Sequence, residues 1–255
     1  MNIIPQNRSF GWLPDLPDIR DQLYAAPMAL MGALPAKADL RAQCPPVYDQ
    51  GQLGSCTANA IAAALEFDRI KQRINDFTPS RLMIYYNERA LEHTVKSDSG
   101  AQIRDGIKTV AKQGACPEPE WPYDPAKFAV RPTPGCYADG LKYKALLYQR
   151  IVPTLGQLKG CLAAGLPFVF GFTVYESFES DEVAKTGIAT MPAPGERAVG
   201  GHAVMGVGYD DSKQVFIVRN SWGPDWGMAG HFTIPMAYLT NSALSDDYWV
   251  IKTVF

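Results

Sequence analysis

Apolar and polar positions change rhythm near the middle of the chain. From residue 55 the stretch SCTANAIAAALEFDRIKQRI is rich in Ala, Leu and Ile, holds no Gly or Pro, and ends in mixed charge. That pattern predicts a helix, and the Gly- and Gln-rich turn DQGQLG before it is a natural stop from which the helix starts. SRLMIYYNERALEH (80–93), with Pro79 just ahead, predicts a second helix, and residues 103–113, ended by Gly114, a third. Six prolines from Pro117 to Pro134 predict loop over 116–137. After about residue 144 the runs are β-type, with turn residues between them: LPFVFGFTVYESF (166–178), GGHAVMGVGYD (200–210), KQVFIVRNSW (213–222) and the closing YWVIKTVF. A helical first half and a β-rich second half predict an α+β protein of two lobes, about 44–143 and 144–255, with a cleft between them. Residues 1–33 stand apart: GWLPDLPDIRD has two prolines and no helical period, and reads as an extended strap, partly polyproline-like.

Composition narrows the classes of function. At 47% hydrophobic and 20% charged, the 255 residues can bury a sizeable core. A formal net charge of -2 favours neither nucleic acid nor an anionic membrane as a partner. No run approaches the roughly 20 apolar residues of a membrane span. MNIIPQNRSFGW lacks the basic start and apolar centre of a signal peptide. A cytoplasmic location is the default expectation, with export lacking an N-terminal signal left open. Five cysteines, an odd number, require at least one thiol free or paired outside the chain. None stands in a CxxC pair or beside a histidine, so neither a metal nor an organic cofactor is expected.

One cysteine differs from the rest. With a helix starting at Ser55, Cys56 lies in the first turn, where unpaired backbone N–H groups and the helix dipole favour thiolate over thiol. A thiolate needs a base, and there are three histidines. His93 ends a predicted helix and reads as a surface residue or cap; His231 follows a glycine turn and reads as structural. His202 differs because of what should face it. The runs 200–210 and 213–222 flank a turn, as in a β-hairpin. Centred on Asp211, that hairpin puts His202 opposite Asn220 on one face of the sheet. The Asn220 amide oxygen can then accept one imidazole N–H and leave the other ring nitrogen to a thiol. Gln50, on the loop before the helix, and the Cys56 backbone N–H supply donors for an oxyanion.

These residues resemble a known family. QGQLGSCTANA, GGHAVMGVGY and NSWGPDWGMAGHF look like the Cys, His and Asn blocks of papain-like cysteine peptidases, in the same order. The likeness extends over nearly all of 34–255, with LPAKADLR similar to the mature N-terminus and ACPEPEWPYD to the segment before the lobe crossover; the strap before such a core is most like the bacterial, xylellain-type branch. The resemblance implies a papain-like two-lobed fold with a helical left lobe and a β-barrel-like right lobe. It implies peptide or protein substrates, Gln50 completing an oxyanion hole, and Trp222 shielding the His202–Asn220 bond. It also implies that Gly100 pairs with substrate backbone and that Ala203 lines the pocket for the second residue before the scissile bond, a pocket that usually selects bulky apolar side chains. Three departures stand out: Leu53 and Ser97 replace a disulfide pair, Thr57 replaces the usual Trp after the nucleophile, and the 33-residue leader is far shorter than the usual helical propeptide. Trp12, Leu13 and Leu16 are therefore candidates to lie across the cleft and keep the enzyme latent, against a strap that merely stabilises the fold. A Cys-His-Asn acyl transferase acting on amines and a non-enzymatic peptide-binding relative are the competing readings.

Overall fold

The computed structural model describes residues 9–74, 76–145 and 147–252. Helix α1 spans Cys56–Gln72, and most of its residues, including Ala58, Ala60, Ala62, Ala63 and Ala64, are buried. Small side chains along this length let neighbouring elements close in from several sides. It stops at Arg73, left-handed at φ 56, whose N–H bonds back to the Arg69 and Ile70 carbonyls. Helix α2, Arg81–Leu91, begins where the Ser80 side chain accepts the Met83 N–H at 3.1 Å. Helix α3, Ile103–Gln113, ends at Gly114 with φ +69, where a Cβ would fall 1.7 Å from the Gly140 oxygen. The proline-rich loop carries two single 3-10 turns, Glu118–Glu120 and Pro125–Lys127, and a short α-helix that its composition did not announce, Pro134–Gly140. Thr133 caps it by accepting the Cys136 N–H, and Pro134 stands at its first position, where a missing N–H costs nothing.

The strands are β1 (Trp12–Leu13), β2 (Leu23–Tyr24), β3 (Lys37–Asp39), β4 (Ala101–Gln102), β5 (Leu147–Ile151), β6 (Phe168–Tyr175), β7 (Ala198–Asp210), β8 (Val215–Arg219), β9 (His231–Pro235) and β10 (Ser245–Lys252). Eight of them form one sheet in the order β2-β5-β10-β6-β7-β8-β9, with β3 added along β7. Its end strands β2 and β9 do not pair with each other, so an open sheet stands where a barrel-like lobe was expected. Phe168, Phe170, Phe172, Phe216, Phe232, Tyr248 and Trp249 pack its interior and are fully buried. No helix among the described residues is long and apolar enough to cross a membrane.

The β7–β8 register differs from the hairpin expected. Tyr209 faces Phe216 and Asp210 faces Val215, so the turn centres between Ser212 and Lys213 rather than on Asp211. Gln214 takes a left-handed φ of 54, which lengthens the turn, and a bulge between Gly206 and Gly208 shifts the pairing again, so that Met205 faces Arg219. Asn220 follows that last pair, which makes Val204 its lateral neighbour and His202 its diagonal one. Diagonal neighbours share a face and remain within side-chain reach.

The leader is not one uniform strap. It supplies β1, which runs parallel to β4, and β2 on β5, then a one-turn helix at Met28–Met31; β3, just beyond it, pairs with β7. Arg104, at the start of α3, anchors it. Its guanidinium donates to both Asp21 oxygens, at 3.0 and 2.5 Å, and to the Leu16 carbonyl, with the Arg104 and Asp21 side chains only 3% and 10% exposed. Arg104→Ala leaves the buried Asp21 carboxylate with Arg150 alone, 3.5 Å away, and is expected to cost about 3 kcal/mol. A urea midpoint unchanged from that of the unmutated chain would show that the anchor contributes nothing.

Candidate active site

Cys56 opens α1, and its backbone N–H lies among those that a helix cannot satisfy internally. The loop before it is held from several directions. Tyr123 Oη donates to the Gln50 carbonyl at 2.9 Å and lies 2.6 Å from Ser55 Oγ, while Asn59 Nδ2 donates to the Ser55 carbonyl at 2.9 Å. The Gln50 N–H donates to the Ser221 carbonyl at 2.9 Å, and Ser221 Oγ donates to Gln50 Oε1 at 2.6 Å. That last bond fixes the amide orientation and leaves Gln50 Nε2 as the donor, one of whose hydrogens goes to the Leu53 carbonyl at 3.0 Å. Ser221 was not singled out from the sequence, although its place beside Asn220 was the available signal.

From the sheet side, His202 on β7 sits 2.8 Å, through Nε2, from Asn220 Oδ1, and the same oxygen accepts the Ser221 N–H at 2.8 Å. Both His202 and Asn220 are buried, and the Trp222 ring stacks on the imidazole with centroids 4.8 Å apart and planes 22° apart. The tryptophan face excludes water that would compete for the His–Asn hydrogen bond. Ala203, next in the chain after His202, points its backbone N–H at the Cys56 thiol. The structure therefore brings Gln50, Cys56, His202, Asn220, Ala203 and Trp222 into one place. His93 lies apart, exposed and left-handed at φ 62. His231 is taken up by the Ala229 carbonyl, 3.0 Å from its Nδ1.

Thr57 also has a role that its difference from tryptophan did not disclose. Its hydroxyl donates at 2.6 Å to Glu88, a fully buried acid whose carboxyl burial pushes well above its ordinary value. That burial favours the neutral form of Glu88, which lessens the negative charge that otherwise pushes the Cys56 thiol up.

The leader covers this site. Gly11 points its N–H at the Cys56 sulfur, and its carbonyl accepts the Ala101 N–H at 2.8 Å. No side chain fits there, since a Cβ on Gly11 would fall 1.8 Å from the Gly54 oxygen. Gly100 packs against it at φ +70, with its own N–H directed at Tyr85 Oη, 3.3 Å away, so the strand partner of the leader is Ala101. The Ser9 carbonyl lies 3.3 Å from Gln50 Nε2, and the Phe10 ring meets His202 and Trp222 edge-on, with centroids 6.1 and 6.3 Å away. Of the three apolar residues expected over the cleft, only Trp12 is buried; Leu13 and Leu16 are 41% and 70% exposed. They alternate outward because the paired segment is short and ends before Pro14.

Covering the site reverses the expected thiol chemistry. Burial pushes the Cys56 thiol up to about 12, against the opposing pull of the N–H groups of Ala203, Gly11 and Thr57. Burial disfavours the charged form, which favours the protonated sulfur in the covered state. Burial likewise raises the thiols of Cys44, Cys116 and Cys161. What distinguishes Cys56 is its helix start and its neighbours, not its depth. All five cysteines are free; Cys116 and Cys136 approach each other, with their sulfurs and a Glu120 oxygen within 4.8 Å.

Replacing Asn220 by alanine is expected to lower kcat about a hundredfold while KM changes little, because a loosened imidazole is a poorer proton carrier. An equal loss confined to KM would assign Asn220 to substrate binding instead.

The geometry has counterparts. The profile described as papain family cysteine protease matches residues 34–250. The crystal structure of xylellain, a cysteine protease from Xylella fastidiosa, is 46% identical and covers 98% of both chains with a TM-score of 0.91. An uncharacterized peptidase C1-like protein of Acanthamoeba polyphaga mimivirus is 43% identical over 97% of this chain and 88% of its own. Cathepsin B-like CP3 of Giardia intestinalis is 31% identical over 74% of this chain and 64% of its own.

Proposed function

The chain belongs to the papain family of cysteine proteases, and from that premise we propose that it is an endopeptidase acting through a thioacyl-enzyme on Cys56, held latent by its own leader. One observation carries the chemistry: the sulfur at the start of α1 receives the N–H of Ala203, whose chain neighbour His202 is held by Asn220. In the uncovered enzyme the Cys56 proton passes to His202 Nδ1, the nitrogen that Asn220 leaves for it. The thiolate attacks the substrate carbonyl carbon, and the new oxyanion accepts from Gln50 Nε2 and the Cys56 N–H. His202 returns the proton to the leaving nitrogen as the C–N bond breaks and the thioester remains. Water then attacks the thioester and gives a proton to His202; the acid leaves and the thiol is restored.

The leader supports latency because it occupies every working part at once: a carbonyl at Gln50, an N–H at the sulfur and a ring against the imidazole. The peptide that fills the cleft is then displaced by peptide or protein substrates.

Incubation of the Trp12→Ala chain, whose leader has lost its buried indole, with a peptidyl epoxide, followed by mass mapping, is expected to place one label on Cys56 and none on the other cysteines. Supplying a primary amine during turnover separates hydrolysis from transfer. Predominant amide product would replace the peptidase reading with an acyl transferase, and an unlabelled, inert Cys56 would leave a peptide-binding relative.

A further inference from the structure

Two of the thiols that the reaction does not use are gathered in one place. Cys116 and Cys136 stand at opposite ends of the proline-rich loop and meet Met83 in a small core apart from the main one, with Trp121 and Tyr137 packed against it. They are 0% and 3% exposed, and neither forms a disulfide. Their sulfurs and a carboxylate oxygen of Glu120 all lie within 4.8 Å of one another. Two thiols and a carboxylate at such range are the donor set of a borderline-soft divalent cation. Tetrahedral zinc with bonds of ordinary length holds its sulfur and oxygen ligands about 3.6–3.8 Å apart, so the three atoms have at most about an ångström to close.

The surroundings suit ligands better than a packed pair of small hydrophobes. Thr133 Oγ1 accepts the Cys136 N–H at 3.3 Å, which leaves its own hydrogen for Cys136 Sγ, 3.1 Å away. A hydroxyl donating to a ligand sulfur orients it and steadies its charge. Glu120 ends the single 3-10 turn that begins at Glu118, and its backbone carbonyl lies 3.8 Å from the same sulfur. Behind it, Asp139 shares a hydrogen bond with the Glu120 carboxyl and is itself paired with Lys142. An anchored carboxylate thus stands at the entrance, because Glu120 is exposed while the two sulfurs are not. A cation has a path inward and, once held by the three side chains, a fourth position facing water.

We propose that Cys116, Cys136 and Glu120 form a zinc site that clasps the two ends of the proline-rich loop together. Binding releases the two thiol protons and forms two zinc–sulfur bonds and one zinc–oxygen bond, with no change of oxidation state. Cysteine spacing conceals the site, because the thiols come together across the loop and not within a CxxC pair. A metal that closes a long loop restricts the unfolded chain and so stabilises the folded one. The clasp bears on the active site through Tyr123, which lies inside the closed loop and engages the Gln50 carbonyl and Ser55 Oγ.

The test uses the full-length Cys56→Ala chain, so that the thiol at the start of α1 cannot capture the metal. Stripped of metal under reductant and titrated with zinc against a chromophoric chelator, it is expected to take up one equivalent. Cobalt in place of zinc should give the near-ultraviolet charge-transfer band of a thiolate ligand. Adding Cys116→Ser and Cys136→Ser to that chain should abolish both uptake and band. Glu120→Gln alters only an exposed side chain, so it should leave the fold intact and weaken uptake by about tenfold or more. Zinc should raise the melting temperature of the parent and not that of the double-serine variant. No uptake, uptake that survives the two serines, or uptake indifferent to Glu120→Gln overturns the site. So does a chain purified without reductant in which mass mapping finds Cys116 joined to Cys136 and, after reduction, no zinc binds. Activity enters none of these readouts, so their failure leaves the peptidase reading intact.

Discussion

Replacing Cys56 with alanine is expected to reduce kcat/KM by at least about 10⁴-fold, to the limit of detection, and to abolish epoxide labelling. In the proposed mechanism the sulfur is the atom that bonds the substrate, and among the described residues the nearby hydroxyls and other thiols are not placed to substitute for it. Ser55 Oγ is engaged with Tyr123, and the Thr57 hydroxyl is turned away to Glu88. Cys44, Cys116, Cys136 and Cys161 are not at the start of α1 and have no place beside His202. The variant should fold, because removing one sulfur from a buried position costs about 1 kcal/mol. A matching melting curve with no activity isolates the chemistry. Residual turnover above about one per cent would remove Cys56 from the nucleophile's role.

Trp12→Ala in the full chain is expected to act in the opposite direction and raise activity toward a small peptide by up to roughly a hundredfold. Its indole is the main buried apolar group of β1, and its N–H donates to the buried Asp247 carboxylate; losing both costs docking about 3 kcal/mol, or about two decades in the open fraction. Overall stability falls in the same variant, so activity and melting temperature should move apart. A structural strap predicts that both fall together. The pH dependence has a definite sign. The docked state binds a proton on Cys56 that the open state releases, since burial lifts the covered thiol to about 12. That contribution to docking is complete below the thiol's uncovered value and is lost as pH rises toward the covered one. Labelling of the full chain should accelerate with alkali more steeply than labelling of Trp12→Ala. Parallel profiles would show that the leader does not control the thiol.

How much of this could be read beforehand depended on how local the cause was. The bounds of α3 were legible because Gly114 is a stop that only a left-handed φ of +69 explains, and α1 because nothing between Cys56 and Gln72 interrupts a helix. The His202–Asn220 contact was reached from the wrong register. Gln214 entering the left-handed region and a bulge near Val207 move the hairpin by whole residues, and neither is written in β propensity. The contact survives because a diagonal pair is close enough. The thiol's protonation was misjudged because a helix terminus is local, whereas the burial that overrides it comes from a leader 45 residues away in sequence, at Gly11. The Trp12–Asp247 bond was invisible for the same reason, joining residues 235 positions apart.

The orientation of β1 along β4 bears on whether the leader can be cut by the site it covers. Because the two run parallel, the sulfur meets a Gly11 amide hydrogen, while the carbonyl presented to Gln50 belongs to Ser9. Among the described residues of the leader, Gly11 meets the sulfur with an N–H and not with a carbonyl carbon, so cleavage at this point by the same molecule is disfavoured. Any cleavage of the leader by this enzyme is then expected to be bimolecular, with a lag that shortens as protein concentration rises; a lag independent of concentration would show cleavage within one molecule.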